Sequence, residues 1–238
     1  MWIKICAHTS LADAQLAADA CADAIGFVFA ASPRQVTVEQ VAAVVAALPP
    51  DLTHVGVFQT RDFEEIVAAV RAAALHGIQL HGGLDVPLID RLRAAFGDRM
   101  FLIQTLHWPL DQDSAQTEKN LRDDLRTLRR HGGADAVLLD AKTATAAGGT
   151  GKPIDWKRAQ EAIAAEAGKM RIILAGGLTP ENVAQAIQTV RPWGVDVASG
   201  VEKQPGRKDP ARVRAFIEAA RAAFAAIENH PLTAVTPR

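Results

Sequence analysis

Two hydrophobic periods alternate along almost the whole chain. Short apolar runs rich in Val and Ile, typical of buried strands, occur at 2–6, 24–29, 53–58, 77–80, 100–104, 135–140, 171–175 and 194–198. Between these runs, apolar residues recur at the spacing of an amphipathic helix, as at Val41, Val44, Val45 and Leu48. The pattern therefore predicts a strand followed by a helix, eight times over.

Several of the helical segments begin with a residue that favours a helix start. Thr37 and Asp62 are each followed three residues later by Gln or Glu, the spacing of a capping box. Thr179 and Asp209 each precede a proline, which is favoured in the first turn of a helix. The sequence predicts helices that start at these four positions.

Each pair of successive strands is joined by one helical segment, which is too short for a detour that would make the strands antiparallel. Successive strands are therefore predicted to be parallel. A doubly wound sheet would use fewer strands and carry a glycine fingerprint after the first one, where this chain has CAHTS. The predicted fold class is therefore α/β, a single-domain (β/α)8 barrel over residues 1–228.

Two segments depart from the pattern. Residues 106–118 are predicted to form a long polar loop, and residues 229–238 a disordered tail.

Composition narrows the classes of partner. The net charge of −1 and the small aromatic fraction of 5% argue against nucleic-acid binding. No apolar run reaches the roughly 20 residues that cross a bilayer, and the N-terminus lacks an apolar leader, so a cytoplasmic protein without membrane partners is expected. Cys6 and Cys21 are too few for a disulfide framework; Cys21 is predicted to pack in the core. A monomer and a homodimer both fit.

Residues that follow the strands of such a barrel form its active site. Small-residue loops follow the last three strands and would let backbone N–H groups approach an anion closely. They predict a phosphate site, in preference to plain turns, at Gly149, Thr150, Gly151, Gly176, Gly177, Ser199 and Gly200.

Two further strand ends carry groups that could transfer protons. Asp140 directly follows a buried run, so it is either a general acid whose pKa is raised by burial or a carboxylate that caps its loop. Cys6 is either a small buried hydrophobe or a reactive thiol. The period of two places Lys4 and Cys6 on the barrel interior, and Ile3 and Ile5 on the helix side.

Arg34, Gln79 and His81 lie at the ends of the second and fourth strands. Arg34 would bind a planar carboxylate, unless it is an exposed loop arginine. Gln79 and His81 either hold a ligand between them or make their hydrogen bonds within the protein. No histidine at metal-ligand spacing accompanies His81, so no metal is expected. The remaining histidines are predicted on surfaces or loops: His8, His54, His76, His107, His131 and His230.

Over residues 2–220 the chain resembles the phosphoribosylanthranilate isomerases of tryptophan biosynthesis. The resemblance is carried by KIC, GFVF…SPR, VGVF, IQLHG, LLD…GGTG…DW, LAGGLTPENV and VDVASGVE…GRKD. It implies a cofactor-free Amadori rearrangement of a small phosphosugar substrate, N-(5'-phosphoribosyl)anthranilate. It also implies that Cys6 is the general base, Asp140 the general acid and Arg34 the ligand of the anthranilate carboxylate, with the three glycine loops on the phosphate. Asp196 is a further polar neighbour without an assigned role.

The chain departs from the family pattern after the cysteine, where Ala7 stands in place of the usual glycine. If that turn needs positive φ, alanine strains it.

Two other functions remain as alternatives. One is a phosphosugar isomerase of histidine biosynthesis, which needs aspartates where this chain has Cys6 and Gln104. The other is a barrel that binds a phosphosugar without turnover.

Overall fold

The eight predicted strands close into one parallel barrel in a computed structural model, which describes residues 1–142 and 154–229. In chain order they are β1 Trp2–Ile5, β2 Ala24–Val28, β3 Thr53–Phe58, β4 Gly77–Leu80, β5 Phe101–Pro109, β6 Ala136–Lys142, β7 Arg171–Leu174 and β8 Gly194–Val197. β8 pairs with β1, with Lys4 opposite Asp196, so the barrel has no open edge. The predicted fold class is confirmed.

Helices follow the strands and cover the outside of the barrel. They are α1 Leu11–Asp19, α2 Val38–Val45, α3 Phe63–Ala72, α4 Val86–Phe96, α5 Ser114–His131, α6 Trp156–Glu166, α7 Val183–Val190 and α8 Pro210–Asn229. Between β8 and α8 a short antiparallel hairpin is formed by β9 Glu202–Gln204 and β10 Arg207–Lys208. Within the described residues no helix combines the length and the apolar character that crossing a membrane requires.

Side-chain alternation on β1 divides the interior as predicted. Ile3 and Ile5 are fully buried in the layer between strands and helices. Trp2 belongs to a second apolar cluster, inside the barrel, where it stacks on Trp193 with ring centroids 5.5 Å apart. Lys4 is also fully buried, one residue further along the strand. The interior is therefore apolar where the strands begin and polar where they end.

Three of the four predicted helix starts are confirmed. Thr37 forms a reciprocal capping box, and the carboxylates of Asp62 and Asp209 accept hydrogen bonds from the first backbone N–H groups of their helices. The prediction for Thr179 is wrong, because α7 begins only at Val183. The Thr179 amide donates to Asn182 Oδ1 at 2.8 Å, which closes a turn ahead of the helix.

The predicted loop over residues 106–118 is also wrong. β5 continues to Pro109 and pairs with β6 as far as Lys142, and α5 starts at Ser114. Leu106 and Trp108 are 3% and 4% exposed, so the alternation that marks a strand persists through this segment. The tail from residue 230 onward lies outside the described residues.

Cys21, His8 and His54 differ from their predicted surroundings. Cys21 follows the end of α1 at a φ of 63° and is exposed, since the helix stops at Asp19 before its packed face could include it. His8 and His54 are buried. His8 Nε2 lies 3.1 Å from the Ile5 carbonyl oxygen, and the His54 ring stacks on that of His76.

Burial of His54 predicts a loss of stability in mild acid. Its ring nitrogens have no hydrogen-bond partner within the described part of the chain, and burial, with a smaller contribution from His76, lowers its pKa to about 4. In the unfolded chain histidine titrates near a pKa of about 6.5, so between these values only the unfolded state binds the proton. As the pH falls from about 6.5 to 4, the free energy of unfolding should drop by at most about 3 kcal/mol on this account.

Urea unfolding of wild type and His54→Phe between pH 7.5 and 4.5 would measure this contribution. The curve of the variant should be flatter by that amount, whereas Lys119→Gln, which alters an exposed residue on the outer helix α5, should follow the wild type. Parallel curves for wild type and His54→Phe would contradict the prediction.

Candidate active site

The strand C-termini open into a pocket of about 540 Å³. Every predicted site residue in the described ranges lines it: Cys6, Arg34, Gln79, His81, Asp140, Gly176, Gly177, Asp196, Ser199 and Gly200. Gly149, Thr150 and Gly151 lie outside the described residues. The barrel thus brings these residues from six strands or their following loops to one cavity.

A fully buried lysine holds two residues of the pocket lining, Gln79 and Asp196. Lys4 Nζ donates to Gln79 Oε1 at 2.9 Å and pairs with Asp196 Oδ2 at 2.9 Å. Burial alone would lower the pKa of Lys4, but the negative charge of Asp196, with a smaller contribution from the side chain of Cys6, outweighs it, and the net pKa is raised. The ammonium therefore stays charged. Asp196 Oδ1 has no hydrogen-bond partner among residues 1–142 and 154–229, which leaves an acceptor at the pocket wall.

Cys6 follows β1 directly, and its amide donates to the Val197 carbonyl at 2.8 Å. A Cβ at Gly26 would stand 2.5 Å from Cys6 Sγ, so only glycine leaves room for the sulfur on the neighbouring strand. Burial raises the pKa of Cys6, and the opposing effect of Lys4 is smaller. Lys4 therefore opposes the effect of burial without cancelling it, and Cys6 is a neutral thiol at neutral pH.

Ala7 occupies the left-handed region at a φ of 66° and is buried. The turn does require positive φ, as the departure from the family pattern suggested, and alanine there costs about 1–2 kcal/mol. The turn is held by the next residue. The His8 amide donates to the Gly26 carbonyl at 2.9 Å, and the His8 ring contacts the Ile5 carbonyl. These bonds fix the position of Cys6 despite the strain.

Asp140 lies on β6 and is 9% exposed. Burial and the charge of Asp196 raise its pKa to about 7, against smaller opposing effects of the Ala141 amide and Lys4. A carboxyl group with this pKa is partly protonated at neutral pH and can donate a proton. His81 Nε2 lies 3.9 Å from Asp140 Oδ2, at the same wall.

Arg34 is positioned by Glu202, an acidic residue to which the sequence analysis assigned no role. Its Nε and Nη2 donate to Glu202 Oε1 and Oε2 at 3.0 and 2.7 Å, a two-pronged pair that uses one edge of the guanidinium. Lys208 Nζ bonds Glu202 at 3.3 Å and the Cys6 carbonyl at 2.5 Å. The β9–β10 hairpin thereby ties the arginine to the cysteine turn.

Glycine is obligatory at the corner formed by the loops after β7 and β8. Gly176 has a φ of 80°, and a Cβ there would stand 2.4 Å from the Ala141 amide nitrogen. A Cβ at Gly200 would overlap the Leu178 carbonyl oxygen. Both glycines therefore pack closely against neighbouring backbone, and Gly176, Gly177, Ser199 and Gly200 line the cavity.

His107 was missed, because β5 was predicted to end at Gln104. It stands opposite Asp140 in the β5–β6 register, and its ring meets that of His81 edge-on with centroids 4.6 Å apart. His107 Nε2 lies 3.1 Å from the His81 carbonyl oxygen. The inference that no histidine accompanies His81 is therefore wrong, since spacing along one segment does not reveal a neighbour on the adjacent strand.

Comparison with known proteins identifies the same family at three levels. The family model for N-(5'phosphoribosyl)anthranilate (PRA) isomerase matches residues 3–219. An N-(5'-phosphoribosyl)anthranilate isomerase of Pelobacter propionicus is 41% identical over 220 residues, which cover 92% of this chain and 95% of the relative. The corresponding protein of Pseudomonas fluorescens is 40% identical over 227 residues, covering 92% and 97%.

Solved structures give the same result. Phosphoribosyl anthranilate isomerase from Thermotoga maritima superposes with a TM-score of 0.77 at 32% identity, over 93% of this chain and 99% of that one. A phosphoribosyl anthranilate isomerase in complex with reduced 1-(o-carboxyphenylamino)-1-deoxyribulose 5-phosphate has a TM-score of 0.73 at 30% identity, with the same coverage. The chain belongs to the family of N-(5'-phosphoribosyl)anthranilate isomerases, enzymes of tryptophan biosynthesis.

Proposed function

We propose that this pocket performs the Amadori rearrangement of N-(5'-phosphoribosyl)anthranilate to 1-(2-carboxyphenylamino)-1-deoxyribulose 5-phosphate with Asp140 as general acid and Cys6 as general base. The observation that carries the assignment is the raised pKa of Asp140, about 7, in the pocket that Cys6 also lines. A carboxyl group that is partly protonated at neutral pH suits the acid. Cys6 takes the role of base that the family resemblance implies for the cysteine after the first strand.

The order of the strands supports a single orientation of the substrate. Around the barrel, Arg34 follows β2, Cys6 follows β1, the glycine corner follows β8 and β7, and Asp140 lies on β6. A substrate with its carboxylate on Arg34 and its phosphate at the glycine corner would lie across the cysteine. The relative solved with a reduced carboxyphenylamino-deoxyribulose phosphate binds a compound with the same two anionic groups.

In the first step Asp140 gives its proton to the ribose ring oxygen. The C1'–O bond breaks, its electron pair stays on the oxygen, and the nitrogen lone pair forms a C1'=N iminium. Asp196 helps to keep Asp140 protonated beforehand, because a second negative charge in a buried site is unfavourable. Asp196 Oδ1 is placed to accept a hydrogen bond from a sugar hydroxyl.

In the second step Cys6 removes the C2' proton. The C–H electron pair forms the C1'=C2' bond, the iminium π electrons return to nitrogen, and an enolamine results. The positive iminium stabilises the thiolate that this step needs and so opposes burial, which raises the pKa of Cys6. Transfer of a proton to C1' and loss of the enol proton then give the ketone, so no atom or electron is gained or lost overall.

Removal of the Arg34 side chain should weaken substrate binding. A hydrogen bond to a charged group contributes about 1.5–3 kcal/mol, so Arg34→Ala should raise KM by about 10- to 150-fold with a smaller change in kcat. Arg61→Ala, which removes an arginine that bonds the Gly82 carbonyl instead, is the matched control. Steady-state kinetics of both variants make the test. An unchanged KM in Arg34→Ala would exclude the carboxylate contact.

Consumption of phosphoribosylanthranilate by the purified wild-type chain tests the activity itself. A barrel that only binds phosphosugars would give saturable ligand binding without conversion. The alternative from histidine biosynthesis finds no support on β5, where Gln104 stands in place of the required aspartate and its amide donates to the Leu80, Gly83 and Thr105 carbonyls. The cytoplasmic location and the choice between monomer and homodimer stay predictions.

A further inference from the structure

Three metal-ligating side chains meet on adjacent strands beside the pocket. His81 follows β4, His107 lies on β5 and Asp140 lies on β6. One ligand atom from each residue lies within 4.8 Å of those of the other two, and His81 Nε2 is 3.9 Å from Asp140 Oδ2. Two imidazoles and a carboxylate are the donor set of many three-ligand zinc sites. The proposed rearrangement uses only the carboxylate.

The surroundings of this His81–His107–Asp140 cluster favour a metal over a simple polar contact. His107 Nε2 lies 3.1 Å from the His81 carbonyl oxygen, so with the proton on Nε2 the lone pair is on Nδ1. A backbone carbonyl bonded to the second ring nitrogen is the usual support of a metal-binding histidine. His81 and Asp140 are 9% and 12% exposed at their side chains and line the pocket, which provides a route of entry and room for a water ligand.

The three ligand atoms lie further apart than they would around a bound zinc ion. Bonds of about 2.0–2.2 Å to zinc bring ligand atoms to within about 3.5 Å of one another. The three atoms must therefore draw together by roughly an ångström, within the reach of small side-chain rotations on fixed strands. Lys4 is already engaged by Asp196 and Gln79, so it does not compete for Asp140 as a hydrogen-bond partner.

We propose that His81, His107 and Asp140 bind a divalent transition-metal ion of the zinc class, with water in the fourth position, and that the bound ion inhibits the isomerase. A carboxylate coordinated to the ion cannot deliver a proton to the ribose ring oxygen. The binding rests on the cluster alone, whereas the inhibition rests on the proposed role of Asp140.

Calorimetric titration of the full chain with ZnCl2, after treatment with a chelator, tests the binding. We expect one ion per chain, and about a 10- to 100-fold loss of affinity or more in His107→Gln, since a lost ligand costs at least as much as a lost supporting contact. His131→Gln and Cys21→Ser, which remove surface ligand candidates, should bind as the wild type does. Absence of binding, or equal binding by wild type and His107→Gln, would overturn the site.

Turnover with and without ZnCl2 tests the inhibition. The ion should inhibit wild type, a chelator should restore activity, and His107→Gln should keep its activity in the presence of zinc. Binding that depends on His107 without inhibition would overturn the inhibitory part and count against Asp140 as the acid. If His107→Gln fails to fold, the absorption spectrum of the Co²⁺-loaded wild type is compared with Asp140→Asn, and identical spectra would overturn the site.

Discussion

Asp140→Asn is expected to lower kcat by about 10²- to 10⁴-fold with little change in KM, the usual contribution of a general acid. Asparagine preserves the shape of the side chain and its contact with the Ala141 amide but cannot protonate the ring oxygen. The iminium then forms only through a proton from water. Asp98→Asn, at a fully exposed position, is the control and should keep wild-type kinetics. Near-normal kcat in Asp140→Asn would remove the residue from the mechanism.

The pH profile gives an independent measure of the same role. Only the protonated form of Asp140 can act as acid, and its pKa is raised to about 7. Where ring opening limits the rate, kcat should therefore fall as the pH rises through about 7, approaching tenfold per pH unit on the alkaline side. In Asp140→Asn this alkaline limb should disappear from the residual activity. A limb that persists in the variant would belong to another group.

Cys6→Ala is the second change with a large expected effect, again about 10²- to 10⁴-fold in kcat, because the C2' proton loses its acceptor. Cys6→Ser should be nearly as inactive, since a serine hydroxyl is a much weaker acid than a thiol and is not ionised at neutral pH. Cys21→Ser is the matched control, because Cys21 is exposed and should leave turnover unchanged. Kinetics of the three variants, with circular dichroism to verify folding, make the test.

Substrate binding separates a chemical role of Cys6 from a packing role. Sγ fits against Gly26, and alanine would leave a small void there without disturbing Arg34 or the glycine corner. Cys6→Ala should therefore bind a reduced product analogue about as tightly as the wild type does. Full activity in Cys6→Ala would show that another group takes the C2' proton.

Local patterns determined much of the fold, and their limits follow from the physics of strand pairing. Alternation on β1 was enough to place Lys4 and Cys6 inward, because the period of two is fixed by the backbone. The end of β5 could not be placed in the same way. Residues after Gln104 are extended because β6 pairs with them, and that pairing joins segments more than 30 residues apart.

The missed residues at the site share this non-local origin. Glu202 contacts Arg34 across 168 positions of sequence, and His107 meets His81 only because β4 and β5 are neighbours. The strand-end rule found the residues that line the pocket, since a barrel places all strand C-termini on one face. The rule gives no information about the residues, such as Glu202, that contact the pocket-lining side chains and fix their positions.

The buried, uncharged state of Cys6 has a consequence for survival under oxidative stress. Peroxides and electrophiles attack thiolates far faster than thiols. An idle enzyme molecule therefore keeps its sulfur in the unreactive form. If the thiolate forms only during turnover, the substrate then fills the pocket and covers it. The same burial that keeps Cys6 protonated before the substrate binds thus protects it from irreversible oxidation to sulfinic and sulfonic acids.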